Sequence, residues 1–289
     1  MSNRAPSHLD HHQKAFISLL KNNAHRHRPH EVFRDFCELS AIAISNAVDP
    51  LQYDAREARY LQIVKGYSKE EINRFPAMLA HVVNALETGF ADVLGSLFMA
   101  LELGNHWKGQ FFTPYEVSRL MAMMTMTDAS AVVERQGFVS VHEPAAGAGA
   151  MVLACAHALQ DQGVNYQQSM HATAIDIDAT AVHMCYIQLS LMHIPAIVVH
   201  GNALTVEEWG HWVTPAHVLG FWDHRWRRRY RAAAADDAAP FPAPIITEPQ
   251  FVTDDARPAA PIIPTVDLAT VSAIVEKRIA GGQQLSLFS

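Results

Sequence analysis

The sequence contains few cysteines, no long apolar run and no excess of positive charge. Its 289 residues include three cysteines, Cys37, Cys155 and Cys185, whose spacing matches neither a disulfide framework nor a zinc site. No segment reaches the roughly 20 apolar residues that a membrane span requires. With 22 Lys+Arg and 29 Asp+Glu, the net charge of -7 excludes a chain that coats nucleic acid by bulk charge. We expect a cytoplasmic protein with reduced thiols, no metal and no membrane partner.

The most informative stretch is a small-residue turn between a β-rich run and a helical run. Phe138 to His142 predicts a strand, Gly147 and Gly149 lie in the turn, and Met151 to Leu159 predicts a helix. Glycines allow close approach of a ligand to the main chain, and the following helix offers free N–H groups. The turn therefore predicts a site for a nucleoside-containing cofactor, with plain packing as the alternative.

Two further strand-like runs follow this turn. His171 to Ile175 ends at Asp176 and leads to a helix from Ala179 to His193, and Ala196 to His200 ends near Asn202. An acid at the end of the second strand of a βαβ unit is placed to accept hydrogen bonds from ribose hydroxyls. The order of elements favours an α/β fold with a Rossmann-like core.

Two motifs resemble those of a known family. Glu143-Pro144-Ala145-Ala146-Gly147-Ala148-Gly149 is similar to the Asp-Pro-Ala-Cys-Gly-Thr-Gly motif of N6-adenine DNA methyltransferases, especially the modification subunits of type I restriction enzymes. Gly109-Gln110-Phe111-Phe112-Thr113-Pro114 resembles the Gly-x-Phe-Tyr-Thr-Pro segment of that family. The resemblance covers roughly Gly109 to Leu204. It implies a bacterial restriction-modification protein with an S-adenosylmethionine-dependent methyltransferase core that acts on DNA, and a specificity subunit as a candidate partner.

The same resemblance assigns the cofactor residues. It implies that Phe112 and Thr113 border the methionine part of S-adenosylmethionine, that Asp176 holds the ribose, and that Asn202 replaces an Asp that contacts the adenine. The full predicted set is Phe112, Thr113, Glu143, Pro144, Ala145, Gly147, Gly149, Asp176, Ile177, Asn202 and Ala203.

The family's catalytic loop has no clear counterpart. N6-adenine methyltransferases carry an Asn/Asp-Pro-Pro-Tyr/Phe loop, which holds the target amine and stacks on the flipped base. The nearest tetrapeptide is Thr214-Pro215-Ala216-His217, so Thr214, Pro215 and His217 are weak catalytic candidates. The residues at 207–212 do not resemble a buried strand. Either the sheet is truncated or its later strands lie in atypical sequence.

The segments before the cofactor motifs are predicted to be helical. Residues 1–28 are assigned as a flexible tail with solvated histidines, and 29–106 as a helical domain. Within that domain Ser68 and Glu71 form a capping box, and Pro76 is expected to shorten or kink the helix. Thr113-Pro114 predicts the first turn of a helix through Met126. Its methionines are expected to fill the core, with a binding surface as the alternative; they are Met121, Met123, Met124 and Met126.

Residues 107–231 make up the predicted methyltransferase-like domain, which ends in a basic aromatic patch. Arginines neutralise phosphates, and interleaved aromatic rings give platforms for unpaired bases. The alternative is a solvated basic helix with its tryptophans packed inward. The predicted DNA-binding residues are Arg225, Arg227, Arg228, Arg229 and Arg231.

The carboxy-terminal residues change in composition. Residues 232–265 are rich in Ala and Pro and predict a disordered linker, followed at 266–289 by a short helix and a tail. Gln284-Leu285-Ser286-Leu287-Phe288 resembles the peptide by which bacterial polymerases and repair proteins bind the replication sliding clamp. Its predicted clamp-binding residues are Gln284, Leu285, Leu287 and Phe288; a chance apolar tail is the alternative.

Two functions from different classes follow. In the first, the chain is an adenine-specific DNA methyltransferase. In the second, it is a catalytically inactive methyltransferase-fold DNA-binding protein, tethered to the sliding clamp as a regulator or antagonist of restriction. Both predict cofactor binding, so turnover separates them. A Rossmann dehydrogenase is less favoured because the turn lacks the third glycine spacing.

Overall fold

In the computed structural model, structure is described for residues 9–101 and 112–235. These residues belong to one compact unit. Residues 1–8, 102–111 and 236–289 lie outside the described part, and so do the predicted linker from residue 236 onward and the predicted clamp-binding tail. In the part that is described, no helix combines the length and apolar character needed to cross a bilayer.

Helices precede, connect and follow the strands of one sheet. The amino-terminal helices are α1 (His11–Asn23), α2 (Pro29–Asn46), α3 (Tyr53–Val64), α4 (Lys69–Glu87) and α5 (Val93–Ala100). The following elements are α6 (Tyr115–Thr125), α7 (Ala129–Gln136), β1 (Val139–Glu143), α8 (Ala150–Asp161), α9 (Tyr166–Ser169), β2 (Met170–Asp176), α10 (Ala179–Leu191), β3 (Ala196–Asn202), β4 (Glu207–Val213), α11 (Pro215–Leu219) and α12 (Trp222–Ala235).

The described sheet has the order β1-β2-β3-β4. The first three strands are parallel, and β4 runs antiparallel to β3. Parallel neighbours need crossover connections, which α8 and α10 provide. Small side chains on β2 and β3 let these helices pack closely; Ala172, Ala174 and Ala196 are fully buried. The α/β class with a Rossmann-like core is therefore confirmed.

Two of the amino-terminal helices, α2 and α5, pack against α10, so the helical layer belongs to the same compact unit as the sheet. The core of this layer includes Phe16 and Phe36, whose rings meet edge to face at 4.9 Å. Arg56 of α3 links this layer to the sheet: it pairs with Asp49 at 2.8 Å, donates to the His211 carbonyl at 2.8 Å, and lies 4.0 Å from the Trp212 ring centroid. Because α10 is enclosed by the sheet and by α2, its side chains are buried on all sides.

The prediction of a flexible tail at residues 1–28 is wrong for its described part. Asp10 and Gln13 form a capping box: Gln13 N donates to Asp10 Oδ1 at 2.7 Å, and Asp10 N donates to Gln13 Oε1 at 3.0 Å. The helix that follows buries Phe16 and Leu20 completely. This apolar face, at a helical period, outweighs the polar composition of the segment.

The core-filling interpretation of the methionines is also wrong. Met121, Met123 and Met124 of α6 are 46%, 53% and 71% exposed, and only Met126 is buried. The helix instead packs on α8 through its small residues Ser118 and Ala122. Its larger apolar side chains therefore face solvent.

Several helix and strand boundaries differ from the predictions. Ser68 and Glu71 do form the capping box, but Pro76 does not end α4, which continues to Glu87. Pro114 rather than Thr113 caps α6, without a side-chain hydrogen bond. Residues 207–213 form the half-exposed strand β4, and α12 extends to Ala235, four residues into the predicted linker.

Candidate cofactor site

The turn between β1 and α8 adopts backbone angles that require glycine. Gly147 has φ 53° and Gly149 has φ 97°, both in the left-handed region. A Cβ atom at Gly147 would lie 2.8 Å from Phe112 Cδ1, and one at Gly149 would lie 3.0 Å from Cys185 Sγ. Glycine is therefore required for space as well as for conformation, because the ring of Phe112 closes directly over the turn.

Asp176 joins this turn to the end of β2. Its Oδ2 accepts from Gly147 N at 2.7 Å, and its Oδ1 accepts from Asp178 N at 2.9 Å. The main chains are also joined, since Ala146 N donates to the Ile175 carbonyl at 2.8 Å. Each carboxylate oxygen has a second lone pair, so the half-buried Asp176 can still accept from two ribose hydroxyls. The residues present fit the nucleoside part of S-adenosylmethionine.

Two buried polar side chains, Gln188 and Asp92, support the glycine turn through hydrogen bonds. Neither was predicted from the sequence. The Gln188 amide donates to the Ala148 carbonyl at 2.7 Å and to Asp92 Oδ1 at 2.9 Å, and its oxygen accepts from Leu94 N at 3.0 Å. Burial raises the pKa of the Asp92 carboxyl group. The available signal was Gln188 itself, an amide residue in a mostly apolar helical run.

The far end of the site is formed by the ends of β2 and β3. Ile177 is 61% exposed directly after Asp176. Asn202 Oδ1 accepts from Leu204 N at 3.0 Å and Thr205 N at 3.4 Å. Because the oxygen is engaged in this turn, the Asn202 amide offers a base its NH₂ group, which matches the ring nitrogen acceptors of adenine. An Asp at this position would offer only acceptors.

The remaining predicted cofactor residues lie around the same turn or follow these strand ends. Phe112 is half-buried, with its ring 5.1 Å from that of Phe98, whereas Thr113 is exposed. Glu143 Oε1 accepts from Ala145 N at 3.1 Å, next to the exposed Pro144. Ala203 follows Asn202 at the end of β3. Gly109, Gln110 and Phe111 lie outside the described residues.

The structure contradicts the placement of the candidate catalytic tetrapeptide. Thr214 is fully buried, its hydroxyl donates to the Ile194 carbonyl and accepts from Ala196 N, each at 2.9 Å. These contacts place it at the amino end of β3, whereas Asp176 and Asn202 lie at the carboxyl ends of their strands. Pro215 follows it as the first residue of α11.

His217, the third catalytic candidate, is engaged in a buried contact at this same distant end. Its Nδ1 lies 2.8 Å from His171 Nε2, and its Nε2 lies 3.2 Å from Asp223 Oδ1. The pKa of Asp223 is lowered by the hydrogen bond to His217. Thr214, Pro215 and His217 are therefore structural residues that attach α11 and α12 to the sheet.

The basic helix α12 divides its arginines between two environments. Arg225 donates to the Gln168 carbonyl at 2.7 Å and lies 3.7 Å from the Trp222 ring centroid; Arg229 donates to the Phe138 carbonyl at 3.2 Å. Burial lowers the pKa of both guanidinium groups. Arg227, Arg228 and Arg231 are exposed. The predicted patch therefore reduces to three exposed arginines.

The tryptophans of α12 match the alternative of inward packing. Trp222 is buried, and the Trp226 ring meets that of Phe138 edge to face at 4.8 Å. Phe138 and His171 belong to the amino ends of β1 and β2, so the helix covers the end of the sheet opposite the glycine turn. Strands of this length separate the two ends by about 20 Å.

Parallel strands, a glycine turn and an acid at the end of the second strand form an α/β arrangement that is typical of proteins binding nucleoside cofactors. Residues 97–224, a little under half of the chain, match the family model described as N-6 DNA Methylase. That range includes the glycine turn, Asp176 and Asn202. These findings support the methyltransferase resemblance.

Comparison with solved structures gives a similar chain in a Listeria monocytogenes protein assigned to the class I S-adenosylmethionine-dependent methyltransferases. The two chains are 15% identical, with a TM-score of 0.37; the match covers 75% of this chain and 69% of the other. Comparison with curated proteins gave no match.

Proposed function

We propose that the chain binds S-adenosylmethionine and acts on DNA as an N6-adenine methyltransferase. The hydrogen bond from Gly147 N to Asp176, which joins the glycine turn to the candidate ribose-binding acid, supports the cofactor part of this proposal. The match of residues 97–224 to the N-6 DNA Methylase family model supports the part that concerns DNA. Phe112 closes the methionine side, and Asn202 presents an amide to the adenine side. When bound, the cofactor supplies an electrophilic methyl group; its transfer to adenine N6 leaves S-adenosylhomocysteine and releases one proton.

The protein's own contribution is binding and orientation. The main-chain amides at the start of α8 and the carboxylate of Asp176 fix the nucleoside relative to the sheet. Because the chain resembles the modification subunits of type I restriction enzymes, we propose that a separate specificity subunit selects the DNA sequence.

The experiment that tests this function is single-molecule sequencing of genomic DNA from a methylation-null bacterium that expresses the chain. We expect N6-methyladenine in a recurring sequence motif, and its loss in cells expressing Asp176→Ala. Genomic DNA without such a motif, from cells in which the soluble chain accumulates with and without a specificity subunit, contradicts methyl transfer by this protein.

A second function is favoured by the position of the Thr214 tetrapeptide. Because that segment is buried at the end of the sheet distant from the cofactor residues, it supplies no amine-binding loop. The alternative is a catalytically inactive protein that binds cofactor and DNA and is tethered to the sliding clamp. It predicts cofactor binding together with the absence of N6-methyladenine in the sequencing experiment above.

We expect DNA binding to depend on the three exposed arginines of α12. The triple variant Arg227→Gln, Arg228→Gln, Arg231→Gln should weaken DNA binding and reduce the salt slope of log K by about 2 to 3 units, because each lost phosphate contact removes about 0.9. Fluorescence anisotropy over a salt series measures this. The control variant removes the same number of positive charges at another part of the surface, by Gln substitutions of the exposed Lys14, Lys65 and Lys69. Equal slopes for both triple variants would argue against a local phosphate-binding surface.

We propose the carboxy-terminal peptide as the sliding-clamp ligand. The double variant Leu287→Ala, Phe288→Ala removes the two side chains that fill an apolar pocket, and it should reduce clamp affinity by about 100-fold in a surface plasmon resonance titration. Ser286→Ala and Ser289→Ala flank this pair and should leave affinity unchanged. If the double variant binds the clamp as tightly as the wild-type protein, the peptide is not the clamp ligand.

A further inference from the structure

The β3–β4 hairpin places Trp209 on a face that regular strand alternation would not give it. Trp212 points toward α10, with its ring 5.0 Å from that of His183. Side chains alternate along a strand, so Gly210 shares that face and Trp209 should point the opposite way. The register shifts between His200, which pairs with Gly210, and Gly201, which pairs with Glu208. Trp209 is the extra residue of this β-bulge.

The bulge turns Trp209 back to the face of the sheet that carries Trp212 and α10. Its ring meets the ring of His200 edge to face, at 5.0 Å and 81°. Bulges re-aim side chains in this way and occur often beside functional sites. A Cβ atom at Gly201 would collide with the Glu207 carbonyl oxygen, so glycine permits the close approach of the two strands.

This residue lies in line with the ribose-binding acid. His200 pairs in register with Asp176 on the neighbouring strand. Asp176, His200 and Trp209 therefore form a row across β2, β3 and β4, near the carboxyl ends of the parallel strands. Two interstrand spacings separate the first and last backbone positions by about 10 Å. This separation is within the reach of a purine attached to a ribose at Asp176.

The β4 end of this row carries exposed apolar side chains. Trp209 is 53% exposed, and Leu204 at the hairpin turn is 94% exposed. Val206 in the hairpin turn has φ 60°, a left-handed backbone conformation that a β-branched residue rarely adopts. The backbone of this turn is therefore strained. His200 fixes the edge of the indole and leaves ring area accessible. Such an aromatic surface suits a flat heterocycle.

We propose that Trp209, held by His200, is a stacking subsite for the adenine of S-adenosylmethionine; this rests on the proposed cofactor site. Ile177 approaches the same base from the β2 side, and the Asn202 amide meets its ring nitrogens. The subsite selects nucleosides with a large flat base.

Calorimetric titration of the full chain with S-adenosylhomocysteine tests this subsite. Trp209→Ala should lower the affinity by about 10- to 100-fold, as loss of base stacking on an aromatic ring does, and Trp209→Phe should stay within about 3-fold of wild type. Leu219→Ala, at an exposed apolar position on α11, is the control and should bind as wild type. Thermal melting establishes that each variant is folded.

A second ligand separates stacking from a general structural role. S-ribosylhomocysteine retains the thioether and ribose but has no adenine, so Trp209→Ala should leave its affinity, measured by ligand-observed NMR, unchanged. Unchanged S-adenosylhomocysteine affinity in Trp209→Ala, or equal losses for both ligands, would overturn the subsite. If wild-type protein binds neither ligand, the proposed cofactor site itself fails.

Discussion

Replacing Gly147 with leucine should lower the affinity for S-adenosylmethionine by about 1,000-fold or more, because the new side chain would fill space next to Phe112 that the proposed cofactor site needs. The Cβ position already lies 2.8 Å from Phe112 Cδ1, and φ is 53°. Calorimetry of the purified variant measures this loss. Circular dichroism should show the same helix content as in wild type.

The matched control for this substitution is Gly163→Leu. Gly163 has φ 73°, and a Cβ atom there meets nothing within 4 Å. Both variants carry the cost of a left-handed non-glycine residue, about 1 kcal/mol of the free energy of unfolding. Only Gly147→Leu should lose cofactor. Wild-type affinity in Gly147→Leu would show that the cofactor does not bind at this turn.

Removing the carboxylate of Asp176 has the second largest expected effect. Asp176→Ala loses the acceptors for two ribose hydroxyls and the contact with Gly147 N. Hydrogen bonds to a charged group contribute about 1.5 to 3 kcal/mol each, so the loss of two of them at the lower end of that range should reduce cofactor affinity by about 100-fold or more. Asp176→Asn keeps the shape and one oxygen acceptor, and should bind with intermediate affinity in the same calorimetric titration.

Asp178→Ala separates cofactor binding from helix capping. Asp178 Oδ1 accepts from Thr180 N at 2.8 Å and Ala181 N at 3.0 Å at the start of α10. Its loss should cost about 1 kcal/mol of stability, as for other amino-terminal caps, with little change in affinity. If Asp178→Ala and Asp176→Ala lose affinity equally, the effect of Asp176 is structural rather than a contact with ribose.

The strand, turn and helix at the centre of the chain were predictable because their signals are local. Glycine at Gly147 and Gly149, an acid at Asp176 and the apolar runs between them determine the βαβαβ order with little tertiary context. The predicted ends shifted by only a few residues, as at α10, which ends at Leu191 before His193 adopts φ 54°. Element type is therefore more predictable than element length.

Features that depend on neighbouring helices were not predictable in the same way. The short helix α1 is stable because its Phe16 and Leu20 side chains are buried where α1 packs against α2 and α4. The α6 methionines are apolar, but small residues decide which side of α6 packs. A sequence pattern predicts burial from hydrophobicity alone, whereas the side chains that are actually buried are those whose shape fits the neighbouring helix.

Long-range pairing explains the remaining errors. Thr214 matched a loop by composition, yet its contacts with Ile194 and Ala196 place it at the opposite end of the sheet. Arg225 and Arg229 belong to a basic run, but aromatic rings and carbonyl groups at the amino ends of β1 and β2 engage them. Gln188 and Asp92 meet across 96 positions of sequence, a separation that no local motif reports.

The central claim is that this chain holds a methyltransferase cofactor at the glycine turn, and calorimetric titration of the wild-type protein with S-adenosylmethionine and S-adenosylhomocysteine tests it most directly. We predict saturable binding of both ligands at one site per chain, with mutual competition and with a higher melting temperature in their presence. Absence of heat and of any thermal shift at millimolar ligand, from protein that is folded by circular dichroism, would contradict it.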